Sequence, residues 1–178
     1  MKPLHLVMIL FLATGHMLPG LSQTDPFLRD FLERWENSKK YTVAVAQAMP
    51  EAHYGFSPTT DEMSFAGQLM HVAAVIEWHA FSRFDGRDTP FRTDDYLAEG
   101  KSKQEIINTV IAEFDKASEL ITGFDPNRLE ETGSYAHFTR TSRQFLLLLA
   151  DHVSHHRGQM LVYLRMKGIT PPNYIDYQ

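Results

Sequence analysis

The sequence predicts an all-α protein, a four-helix bundle preceded by a signal peptide, and three observations predict it. Four stretches of about 20 residues set apolar side chains at helical spacing. Each is bounded by residues that start or stop helices, among them Ser64, Ser102, Thr141, Pro50 and Gly168. The 178 residues, 43% hydrophobic and 22% charged, suit one domain with a real core. The strand signal is too weak to support an α/β alternative.

The N-terminus has a signal-peptide layout: Lys2, an apolar run from Leu4 to Leu12, then a looser Gly/Pro/Ser segment. Gly20 and Ser22 are small residues suited to cleavage before Gln23, and cleavage a residue or two later fits as well. A spanning helix needs about 20 apolar residues, and Gly15, His16, Pro19 and Gly20 break the run early. The expected organisation is therefore a signal peptide over 1–23 and one bundle domain over 24–178. The mature protein is expected to be exported, periplasmic or secreted, with no stable membrane insertion.

The first helical stretch runs from about Asp25 to Met49, with Phe27, Phe31, Leu32, Trp35, Val43 and Val45 among charged neighbours, and Pro50 stops it. A loop with Gly55 and Pro58 leads to the second, Ser64 to Phe84, with Ser64 as N-cap. The segment DGRDTPFRTDD reads as loop. Ser102 and Glu105 form a capping box opening the third helix, which carries Ile106, Val110, Phe114 and Ile121. Gly123 to Arg140 is polar, with room for a short hairpin around Tyr135 to Phe138. The fourth helix starts near Thr141, with Gln144 as capping-box partner, and ends at Lys167 before Gly168 and Pro171. All four are expected to be amphipathic. Two of the connecting loops are long, so a simple up-down-up-down order does not follow.

Composition excludes several chemistries. Zero Cys removes disulfides, thiolate metal sites and Cys nucleophiles. A net charge of −5 without a basic block argues against nucleic-acid binding. What remains distinctive is nine His. His152 and His156 are four apart and share a face with Phe145, Leu149, Gln159, Met160 and Tyr163, so both point inward. His71 shares a mostly apolar face with Gln68, Ala74, Val75 and Trp78 and can meet the pair across the core. Three such imidazoles can bind one ion at about 2.0–2.1 Å. The alternative is three hydrogen-bonded core histidines. His155 falls at the edge of that face, while His53, His79 and His137 read as surface or loop. Gly158 inside the helix suggests a close helix approach. Asp151 and Ser154 point off the histidine face, and Glu is missing between the two His, so neither a Ser-His-Asp triad nor an H-E-x-x-H peptidase site is expected.

The block H-x-x-H-H-R-G-Q at His152 to Gln159, with Tyr163, Leu164 and the ending Gly168-Ile169-Thr170-Pro171-Pro172, resembles the C-terminal helix of the DinB-like (damage-inducible) metalloprotein family. The segment Met49 to His71 is similar to that family's loop and second-helix entry. The resemblance spans about Phe27 to Tyr174. It implies a four-helix bundle with a crossed-over helix order, often dimeric, and a three-His metal site on His71, His152 and His156.

Three neutral ligands leave a divalent ion, Zn or Ni foremost, with a water position open, which is the catalytic rather than the structural pattern. Metal-dependent hydrolysis of a small molecule is thus the leading expectation. Its missing part is a general base: Glu77 lies on another face, and Asp61 or Glu62 reaches the site only if their loop folds over it. Gln159 and Tyr163 can orient a ligand. The alternatives are a metal-dependent thiol transferase or isomerase, as in some relatives, and a non-catalytic metal- or ligand-binding bundle. Export counts against the thiol chemistry.

Overall fold

The structure, a computed structural model, describes residues 25–86, 91, 94–135 and 137–178. The expected signal peptide and part of the loop before the third helix lie outside these residues. Four helices form where the sequence places them: α1 (Pro26–Ala48), α2 (Phe65–Arg83), α3 (Lys103–Thr122) and α4 (Ser142–Met166).

Their ends are fixed by side-chain chemistry. The Asp25 carboxylate accepts from the Phe27 and Leu28 amides at the start of α1, and Ser64 Oγ accepts from the Gly67 amide at the start of α2. α3 and α4 both open on complete capping boxes, Ser102 with Glu105 and Thr141 with Gln144. α4 stops at Gly168, whose φ of 72° is left-handed, while the Ile169 amide bonds back to the Leu164 carbonyl. The region before α4 holds a hairpin, β1 (Thr132–Tyr135) antiparallel to β2 (Phe138–Thr141), with Tyr135 opposite Phe138.

The helices pack in a ring. α1 lies against α3 and α4, and α2 also lies against α3 and α4, so α1 and α2 face each other diagonally, as do α3 and α4. Passing from α1 to α2, or from α3 to α4, therefore means crossing an end of the bundle, and residues 49–64 and 123–141 are long enough to do it. This crossed-over order agrees with the resemblance and with the long loops. Trp35 and Phe114 mark the core between α1 and α3, with ring centres 4.6 Å apart and the indole donating to the Phe114 carbonyl at 3.3 Å.

One helix departs from expectation. α2 is not amphipathic: Phe65, Ala66, Leu69, Met70, Val72, Ala73, Ala74, Val75 and Ile76 are all buried, covering every side of its first three turns. It packs against α3, α4 and the 3-10 turn Asp94–Tyr96, and a helix that is apolar all round needs that many neighbours. The same placement buries His79, which is 4% exposed beside Trp78 and Phe145 and is not the surface residue its sequence context suggests. Burial first, and Arg83 second, lower its pKa to about 4. Gly158 also differs. A side-chain carbon built there meets nothing within 4 Å, so no helix approaches it closely.

Candidate metal centre

The helical period brings the site together. His152 and His156 stand one turn apart on α4, and α2 presents His71 to them across the α2–α4 contact. The His71 ring centre is 5.1 Å from that of His152 and 4.6 Å from that of His156, while the latter two are 4.4 Å apart. One ring nitrogen from each residue lies within 4.8 Å of the other two, close enough for the three to hold one metal ion.

The donor set suits a divalent cation. His156 Nδ1 is 2.6 Å from Gln68 Oε1, a pure acceptor, so Nδ1 carries the proton and Nε2 presents its lone pair. That Nε2 faces His152 Nε2 at 3.1 Å. Two such nitrogens share either a proton or a cation, and nitrogens bound tetrahedrally to one zinc ion are about 3.3 Å apart. His152 Nδ1 is buried with no hydrogen-bond partner, so the protein itself leaves this ring incompletely satisfied.

Electrostatics point the same way. Burial lowers the pKa of His71. Burial, then the neighbouring histidines, lowers His152 to about 3 and His156 to about 4. All three rings are neutral at pH 7, as metal ligation requires.

Behind the histidines stands a polar relay that sequence reading did not identify. Gln68 is 1% exposed and donates through Nε2 to Gln159 Oε1 at 2.8 Å and to the Tyr163 hydroxyl at 3.3 Å. Gln159 Nε2 donates in turn to His155 Nε2 at 3.0 Å, and Tyr163 donates to the Met63 carbonyl at 3.0 Å. Gln159 and Tyr163 thus act behind the ligands by fixing Gln68. The signal in the sequence was their place on the histidine faces, Gln68 with His71 and Gln159 and Tyr163 with His152 and His156. His155 itself is exposed at the rim.

His71 borders a cavity of about 210 Å³ lined also by Met63, Gly67, Ala74, Tyr96, Leu97 and Ala98. Tyr96 stands on its loop side near Glu77 and Glu113; burial first, then those carboxylates, push its pKa well above the usual phenol range. Glu77 therefore lies beside Tyr96 and not in the three-histidine cluster. Asp61 and Glu62 are exposed and outside the cavity lining. Among the described residues no carboxylate joins the three-histidine cluster. Asp151 is exposed and the Ser154 hydroxyl donates to the Ala150 carbonyl, so no triad forms. His53 and His137 sit apart, in the 3-10 turn after α1 and in the hairpin turn.

Comparison with known proteins agrees with this architecture. The family model described as the DinB superfamily matches residues 34–160. A crystal structure of a DinB-like protein from Bacillus subtilis superposes with a TM-score of 0.66 at 18% identity, covering 82% of this chain and 96% of that one. Another, from Bacillus cereus, gives 0.69 at 18% identity, covering 82% and 95%. At that identity the two neighbours speak for the fold alone. No curated protein matches the chain.

Proposed function

We propose that this chain, which belongs to the DinB superfamily, binds one divalent metal ion through His71, His152 and His156 and hydrolyses a small molecule there. The observation that carries the reading is the convergence of three neutral imidazoles beside an apolar cavity. An all-imidazole set suits Zn or Ni. Bound there, the ion would supply Lewis acidity and lower the pKa of a water to about 7.

The chain's own residues do the rest. Gln68 holds His156 in the tautomer that offers Nε2, and Gln159 and Tyr163 hold Gln68. Met63, Ala74, Leu97 and Ala98 give the cavity an apolar lining that suits an apolar substituent. Tyr96, half-buried near Glu77 and Glu113, packs the loop that carries Leu97 and Ala98 against α2. The layout of residues 1–23 supports export before any of this chemistry takes place. No described helix is long and apolar enough to cross a membrane.

A second reading has its own observation. No described carboxylate stands in the cluster to serve as a base, which favours a metal- or ligand-binding bundle without turnover. Purified without a His tag, the protein is expected to carry about one metal per chain by mass spectrometry, and both His71→Ala and His156→Ala are expected to lose it. Turnover of a hydrolase substrate panel that vanishes in His156→Ala supports the enzyme. Metal without turnover supports the binding bundle, and no metal after Zn²⁺ and Ni²⁺ are supplied refutes the metal site and leaves a ligand-binding bundle.

A further inference from the structure

A second cleft, of about 290 Å³, opens on the side of the bundle shared by α1 and α4. Arg157 lines it together with Ser38, Tyr41, Ser154, Tyr174 and Tyr177. Arg157 follows His156 directly, and one step of about 100° round α4 turns it from the α2 side toward α1. The two clefts have no lining residue in common.

Arg157 is 8% exposed, and every partner it has is neutral. Nη1 donates to Ser38 Oγ at 2.7 Å and, at 3.3 Å, to the Ser38 carbonyl and Thr42 Oγ1. Nη2 has one long contact, to Ser154 Oγ at 3.4 Å. The guanidinium carbon lies 4.9 Å from the centre of the Tyr41 ring. Among the described residues no carboxylate lies within ion-pair distance of it. A guanidinium cannot shed its charge, and buried cations ordinarily face an anion. Arg34, at the rim, makes no ion pair with any described residue either. This arrangement is a cation held in place with donor capacity to spare.

We infer that this cleft binds a small organic monocarboxylate, with Arg157 taking the carboxylate and the tyrosine rings taking the apolar part. The planar guanidinium fork matches a carboxylate. Tyr41 stacks on Tyr177 at 4.9 Å and tilts against Tyr174 at 5.6 Å, which gives the cleft aromatic walls. Asp30 and Glu33 at the rim disfavour a dianion such as phosphate. Asp30 and Glu33 are exposed at the rim while Arg157 is buried, so the charge of the inner part of the cleft is that of the guanidinium.

Benzoate is the probe, with benzamide as its neutral isostere and inorganic phosphate as the dianion, titrated into the purified protein by calorimetry. Benzoate is expected to bind saturably, with benzamide and phosphate each weaker by about tenfold or more. Arg157→Gln is expected to weaken benzoate by about tenfold or more while keeping the metal content. Tyr177→Ala, at a partly exposed position that folding tolerates, is expected to weaken it a few fold. His156→Ala should leave benzoate binding intact, since the two sites are separate. The inference is overturned if benzamide or phosphate equals benzoate, if Arg157→Gln and Tyr177→Ala both bind as the parent does, if His156→Ala alone abolishes binding, or if no heat is seen up to about 10 mM.

Discussion

Gln68 is the residue on which the three-histidine cluster turns. It contacts His156 Nδ1 at 2.6 Å and is itself held by Gln159 and Tyr163. Replacing it by Leu keeps the volume and removes the acceptor that sets the His156 tautomer. Metal affinity of Gln68→Leu is expected to fall by about 10–100-fold, the usual cost of losing a partner behind a ligand. Competition with a chromogenic chelator would show it, and an unchanged affinity would remove Gln68 from the site. The histidines also make a pH prediction. Their folded pKa values lie below the unfolded value, His152 near 3 and His156 near 4. Above about pH 6.5 both states are neutral and the rings contribute nothing to pH dependence. As pH falls from there toward 4, the unfolded chain takes up protons that the folded site refuses, so the metal-free protein loses stability. The slope approaches about 1.4 kcal/mol per pH unit for each ring where the unfolded form is protonated and the folded one is not, and solvent screening narrows that window. Denaturant midpoints of the metal-free protein against His152→Ala should diverge across this window, the variant falling less steeply.

At the scale of elements, the helix ends were legible because they are local chemistry. Ser64, Ser102 with Glu105, and Thr141 with Gln144 each satisfy amides within three residues, so the sequence alone contains both partners. Helix interiors are less self-explanatory. Gly158 reads as a contact point, yet the structure leaves open space above it. With no close neighbour and a helical backbone, Gly158→Ala is expected to stabilise the protein by about 0.5–1 kcal/mol, measured by urea unfolding. A loss of stability would mean that the exposed face of α4 meets something after all. α2 teaches the converse. Its apolar residues look like one broad stripe, and only its three neighbours make clear that every side is covered.

At the scale of the whole molecule, the three-histidine cluster joins elements that are far apart in the chain, since His71 comes from α2 and the other two histidines from α4. Assembling it requires the folded bundle, so an ion that binds only there adds its binding energy to stability. At a free concentration of about 100 times Kd the gain is about 2.7 kcal/mol. For a domain of this size that corresponds to a rise in Tm of roughly 5–10 °C. Thermal melts across a zinc titration should show a rise that depends on concentration, and His71→Ala should abolish it. A melting temperature indifferent to zinc would mean that the three histidines meet without binding it.

The sequence by itself determined the four helices, their caps, and the inward direction of His152 and His156, because periodicity and capping act over three or four residues. His71 as the third member also followed, through its apolar face and then through the resemblance at Met49 to His71. The tertiary structure decided what contacts between distant segments decide. It set the diagonal placement of α1 and α2, the burial of His79, the role of Gln68, and the nearness of Glu77 to Tyr96. Each depends on which face of one element meets which face of another. Spacing along the chain fixes the faces, but their pairing is settled only when the whole set of apolar surfaces is buried together.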